Sequence, residues 1–526
     1  MTEAPARTPG TAAVPVVRPT DLPGVRTRLR DVTSDLAAGL NCLWLVTDAM
    51  VESGLADTLY REALAAAPVH VDVPAPARGT EPRSEPEPPP AAPGTGADDD
   101  GPGGDGRTGT GGRPEGDELP YLDLPDDGFD LDLGWTLDGG PPRLPAPRRD
   151  PGTTRRDPHG LTARLGDRLG VTPDQAVPAL VARARGQRPV VGVRAWREHD
   201  GGQGAAALFR SLAAAVKEAG LPPGERPRLL VVARLGDLPE PLPDALRDGH
   251  GDTAVHWWWG VLGRLDTATA ILSAPDHGHG AGRARDPLAD RVRRAVRSET
   301  VVEICGPDLE LARLLVLEWD GAQHTLADAL GRCLAATGAP PPGECPPLRR
   351  IGALARPGTE LRRAWSRGAV VSWEGRLRHH VAVWHPAAPA DGTAPAPTAD
   401  ARARLAALVS QAQQRVLTPW IEEARQRLAA RALGHLTRPV AAVVAEHAER
   451  PAAELRGDPE RAFGELQVGE LLGAHISGSL ALPPDDARLL RLLVMARNVL
   501  SHRSVLYDRT LDDLCAELSR ADLRAS

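Results

Sequence analysis

Apolar positions recur at three- and four-residue spacing through the last quarter of the chain. Leu489, Leu492, Leu493, Ala496, Val499 and Leu500 line one face of a helix over 485–503. Pro483 and Pro484 stop whatever precedes it, and Asp485 or Asp486 can cap its first turn. Upstream, Leu405, Leu408, Val409, Ala412, Val416 and Leu417 make a second face, continued beyond Pro419 by Trp420, Ile421, Ala424 and Leu428. The pattern repeats over 440–449, 462–476 and 510–518, where Thr510 suits a cap. Four to six helices joined by short turns predict an all-α C-terminal bundle over 401–526.

The period changes in the middle of the chain. Helical segments at 161–170 and 173–185 precede an apolar strand at 188–196, a Gly-rich loop at 200–204, a helix at 205–219 and a second buried-type strand at 227–234. Further strands are expected at 254–259, 269–272 and 300–305. Strands alternating with helices predict an α/β domain with a mainly parallel sheet over 157–385. Trp257, Trp258 and Trp259 cannot all face one side of a strand, so at least one must pack on another layer or be exposed. Alternation about Glu374-Gly375 predicts a hairpin over 369–384. The Ala/Pro-rich stretch 386–400 reads as the cleanest domain boundary.

At the other end, Leu36, Leu40, Leu43, Trp44, Ala49 and Met50 stand near helical spacing, and the pattern resumes after Gly54 over 56–64. Residues 21–67 therefore predict a small N-terminal helical module, an adaptor for an unknown protein partner. Residues 1–20 read as disordered. Residues 68–156 are dense in Pro, Gly, Asp and Glu and read as a disordered acidic linker, since such composition buries too little apolar surface to offset chain entropy. Acidic and hydrophobic residues alternate over 119–135, as in a docking segment or a loosely collapsed linker.

Composition narrows the function classes. At 526 residues, two to four domains are expected. Lys217 is the one lysine, a coding bias that leaves abundant Arg no nucleic-acid signal by itself, and a net charge of -8 argues against coating DNA or membrane by bulk charge. Cys42, Cys305, Cys333, Cys345 and Cys515 are odd in number and show no metal spacing, which fits a reduced cytoplasmic protein. His277 and His279 lack a nearby third ligand and read as loop. No apolar run is long enough to span a membrane. No metal and no cofactor are expected.

Candidate chemistry falls in two places. A strand, a Gly-rich loop and a helix occur in the order of a phosphate-binding loop. Yet Gly204 is followed by Ala205-Ala206 rather than Lys and Ser/Thr, and the second strand ends in Ala233-Arg234, without the expected acid. ATP is therefore expected neither to bind tightly with magnesium nor to be hydrolysed. On 190–196, 256–267 and 305–310, the stretch 161–336 resembles the inactivated STAND-type NTPase-like domains of bacterial conflict and immunity proteins. The second place is Arg497-Asn498-Val499-Leu500-Ser501-His502. Asn498 and His502, four apart, share a helix face. Arg497 and His502, five apart, diverge by about 140° on an ideal helix, which a helix end near Ser501 would reduce.

This Arg-Asn-x-x-x-His run resembles the signature of the HEPN superfamily, small helical domains of which many are metal-independent ribonucleases. Asparagine occurs elsewhere only at Asn41. The resemblance implies that His502 moves a proton from a 2′-hydroxyl, that Arg497 steadies phosphate charge, and that Asn498 orients one or the other. It also implies pairing of two bundles, a homodimer, around one RNA-cleaving cleft. The expectation is a conflict or antiviral defence protein with an endoribonuclease effector and a non-hydrolysing sensor; the alternative is a non-catalytic RNA- or protein-binding scaffold.

Overall fold

A computed structural model describes residues 17–76, 160–249, 251–272, 287–337, 345, 348, 357–388, 396–449 and 457–523. The acidic segment 119–135, the pair His277/His279, and most of the stretches 1–20 and 68–156 lie outside the described residues, as does 389–395 of the expected linker.

The first elements are α1 (Pro23–Ala37), β1 (Asn41–Leu45), α2 (Asp48–Glu52), α3 (Leu55–Ala65) and β2 (His70–Asp72). They are followed by α4 (Leu161–Leu169), α5 (Ala176–Ala182), β3 (Val190–Arg194), α6 (Gln203–Glu218), β4 (Arg228–Ala233), α7 (Leu242–Arg247) and β5 (Thr253–Trp257). The five strands form one parallel sheet in the order β2-β3-β4-β1-β5. An α/β region with a parallel sheet is thus present, but its centre comes from the segment expected to be a helical adaptor. All five residues of β1 are buried. A strand covered on both faces loses its alternation and reads as a continuous apolar run, which periodicity cannot separate from a buried helix. Residues 21–67 are therefore built into the sheet and its α1/α3 layer, and are not a separate helical unit.

Helices cover both faces. Leu43, Leu45, Val191, Val193, Leu229 and Val231 pack against α4, α5, α6 and α7; Cys42, Trp44, Val190, Leu230 and Val232 pack against α1 and α3. The chain runs one way along the sheet from β2 to β5 and the other way from β1 to β2, so right-handed crossovers put the two sets of helices on opposite faces. Gly192 lets Tyr60 of α3 lie on β3: a Cβ there would stand 2.2 Å from its hydroxyl. That hydroxyl donates to Asp72 at 2.6 Å.

Beyond the sheet come α8 (Arg264–Leu272), α9 (Pro287–Cys305), α10 (Leu309–Glu318), α11 (Gln323–Ala336), α12 (Thr359–Ser366), the hairpin β6 (Val370–Trp373) and β7 (Arg376–His379), and α13 (Val381–Trp384). The expected strands at 269–272 and 300–305 are helical, in α8 and α9. Thr300-Val301-Val302 has strand-like composition, but Val301, Val302, Ile304 and Cys305 are buried among α10 and α11, and this packing overrides local preference. The hairpin forms about Glu374 and Gly375, both at positive φ, but its second strand is short and α13 follows. At Gly306, φ is 58° and an added Cβ would strike Arg378, which donates to the carbonyls of Glu303 and Ile304.

The last elements are α14 (Ala399–Ala432), α15 (Val440–His447), α16 (Pro459–Gly464), α17 (Val468–Ile476), α18 (Pro484–Ser501) and α19 (Asp508–Leu523). Instead of the single helix expected over 462–476, the chain forms α16 and α17. The bundle does not stand on 401–526 alone. Ala289, Val292 and Val296 of α9 join its core, while Leu405 and Val409 of α14 join the core around α10 and α11. α9 and α14 thus lie antiparallel across both cores, and the stretch 386–400 does not separate independent bodies. Among the described residues, no helix is long and apolar enough to cross a membrane.

Candidate functional site

The α18 segment begins as its sequence suggests. Pro484 occupies the first turn, Asp485 and Asp486 follow it, and Asp486 accepts from Arg431 of α14 at 2.9 Å. Leu489, Leu490, Leu493, Ala496 and Leu500 are buried in the bundle. The opposite side of the last turns carries Arg497 and Asn498, both exposed; His502 is the exposed residue that ends the helix. Among the described residues, the side chains of Asn498 and His502 have no hydrogen-bonded partner, and Arg497 lies close enough to Glu422 of α14 to favour that carboxylate's charged form. The three are gathered at one helix end, where His502 N donates to Asn498 O at 3.1 Å, but their side chains share no hydrogen bond, and no described cavity includes them.

The helix end is a two-bond reversal. Arg503 N donates to Leu500 O at 3.0 Å and Ser504 N to Val499 O at 3.0 Å. Glycine usually stands at the left-handed position of this motif. Here it is Arg503, at φ 54°. The loop beyond is clamped from inside: buried Gln413 of α14 accepts from Leu506 N and donates to Leu506 O, each at 2.8 Å. Asp508 caps α11 through Gln323 N at 3.1 Å. Gln413 escapes a reading by sequence because a lone Gln on a long helix gives no signal until its partner is known.

In an open parallel sheet, ligands sit beyond the carboxyl ends of the strands where the connections change face. That point lies between β1 and β4, and the Gly-rich loop at 200–204 is elsewhere, after β3. There Asp200 already fills the amino end of α6, accepting from Gly202 N at 2.9 Å and Gly204 N at 2.6 Å. A carboxylate on these amides competes with any phosphate. At the switch point, α12 is docked. Ser366 donates to Asp48 at 3.2 Å, and Trp365 Nε1 donates to Trp258 O at 3.1 Å. Arg362 holds Asp244 with two bonds of 2.7 and 2.8 Å and lies 5.4 Å from the Trp257 ring centre. Burial raises the pKa of Asp48, with Ser366 and Arg234 opposing. The tryptophans divide as a strand requires: Trp258 meets Trp44, whereas Trp257 and Trp259 meet Trp365.

The expectation of no metal-ligand cluster needs correction, because the fold brings together Asp35, Cys42 and His256, which spacing along the chain could not reveal. Burial raises the Cys42 thiol's pKa, and burial lowers that of His256 against the pull of Asp35. None of the five cysteines is in a disulfide. Comparison of the chain with known protein families, curated proteins and solved structures finds no match.

Proposed function

We propose that the chain is a conflict-system effector that acts on RNA through the end of α18, with the α/β layer serving as a non-hydrolysing sensor or scaffold. The carrying observation is that Arg497, Asn498 and His502 face solvent together at the end of a helix whose following loop is clamped by Gln413. An exposed imidazole can take a proton from a 2′-hydroxyl, and an Arg beside it can hold the phosphate on which negative charge develops. Such an open edge lacks the walls of an active site, so cleavage requires a second copy to face it. The sensor reading draws support from Asp200 on the α6 amides and from α12 over the strand ends.

The test is incubation of the full chain with single-stranded RNA without added divalent metal. Cleavage by the wild type, lost in His502→Ala at unchanged helicity and melting temperature, is the expected result. Full activity in His502→Ala removes the assignment. The same exposed geometry also suits a surface that binds RNA without cutting it. Binding that depends on Arg497, with no cleavage at any protein concentration, selects that second reading.

A further inference from the structure

The Asp35–Cys42–His256 group lies far from α18 in sequence and is independent of the RNA reading. Asp35 stands on the last turn of α1, Cys42 is the second residue of β1 and His256 the fourth of β5. The register pairs Trp44 with His256 and Cys42 with Ala254, so Cys42 and His256 leave the sheet on the α1 side. Cys42 Sγ is 3.7 Å from Val32 O, and His256 Nε2 is 2.9 Å from Asp35 Oδ2. One donor atom from each of the three residues lies within 4.8 Å of the other two.

We infer that Asp35, Cys42 and His256 hold a zinc ion that fastens α1 to the sheet. Ligand atoms on tetrahedral zinc stand about 3.3–3.8 Å apart, given bonds of about 2.0–2.3 Å. To reach that spacing the 2.9 Å between His256 Nε2 and Asp35 Oδ2 must open by a few tenths of an ångström, and the other separations, none above 4.8 Å, lie near it. Thiolate, imidazole and carboxylate together suit zinc and not magnesium or calcium, which prefer oxygen alone. Cys42 is fully buried and cannot meet a substrate, whereas the Asp35 side chain is 34% exposed. The ion therefore enters from the Asp35 side and keeps its fourth position for water. Charge also favours a cation: Asp31, one turn before Asp35, is exposed at the rim. The opposing group is Arg28, whose Nη1 lies 3.4 Å from His256 Nδ1 and 3.9 Å from Asp31. On zinc binding it turns from the ring to Asp31.

The full chain, untagged and stripped with a chelator, is titrated with Zn2+ and, as a spectroscopic probe, Co2+. One bound equivalent, a raised melting temperature and a thiolate-to-cobalt charge-transfer band are expected. Cys42→Ser removes the band, and Arg28→Gln tightens binding because it deletes the competing charge. If Cys42→Ser does not fold, Asp35→Asn at the exposed side must weaken Zn2+ uptake instead. No uptake by the wild type, or uptake unchanged in Asp35→Asn and Cys42→Ser, overturns the site.

Discussion

At the carboxyl edge of the sheet, polar side chains meet one another: Ser366 meets Asp48, Arg362 meets Asp244, and Trp365 meets a main-chain carbonyl. At the end of α18, Asn498 and His502 are exposed, and their side chains have no hydrogen-bonded partner among the described residues. The first place is where a parallel sheet would bind a ligand, and its groups are committed to holding α12. The second is a helix end outside any described cavity, and its groups are free to meet something outside the chain. The difference teaches that position in a fold nominates a site, whereas unfilled bonding capacity decides whether the site can still act.

The sharpest way to break the comparison lies at the open edge. On the proposed RNA-cleaving reading, His502→Ala should lower cleavage by about 10²–10⁴-fold, the usual worth of a general base, with affinity retained. Arg497→Ala should weaken affinity and cleavage together, because its charge meets the ground state as well. Binding and single-turnover rates measured separately check the split; equal losses of affinity in both variants would assign both residues to binding.

The closed edge should answer in stability. Trp365→Ala removes a buried ring from between Trp257 and Trp259 and should cost about 3–5 kcal/mol in denaturant unfolding. A loss below about 1 kcal/mol would mean that α12 is only loosely seated. Gln413→Ala leaves the Leu506 amide unsatisfied and should cost about 1–3 kcal/mol. If the clamp also positions His502, turnover should fall further than affinity.

Arg503→Gly sets the two roles of one residue against each other. Glycine relieves the left-handed strain and should raise stability by about 1 kcal/mol. On the proposed reading, loss of the exposed guanidinium should at the same time weaken RNA binding, read as a shallower salt dependence. The smallest effect concerns pH. Hydrogen bonds from Arg425 hold the Glu422 carboxyl below its ordinary value of 4.5, with burial opposing. Its contribution is therefore complete above that value and fades as pH falls through the lower folded value. Urea midpoints of wild type and Glu422→Gln should converge in acid; a constant difference would remove the ion pair from the bundle's acid response.

The sequence by itself determined the elements whose pattern is local. The α18 stripe carries its own period, β3, β4 and β5 are short apolar runs set between turn signals, and the Glu374-Gly375 reversal carries its turn chemistry; all appear within a few residues of where those signals place them. It also singled out Arg497, Asn498 and His502 by their spacing, whereas their exposure at the helix end is read from the structure. Tertiary structure alone decided the rest. Asn41-Cys42-Leu43-Trp44-Leu45 became the strand beside both β4 and β5 because burial on two faces erases the alternation that marks a strand. Thr300 to Cys305 became helix because α10, α11 and the bundle enclose α9 along its length. The Gln413 clamp and the α12 seat join residues 93 and 318 positions apart. The Asp35–Cys42–His256 group likewise needs β5 laid beside β1. No local pattern encodes such pairs; they exist only once packing has placed α1, α12 and α14 against their neighbours.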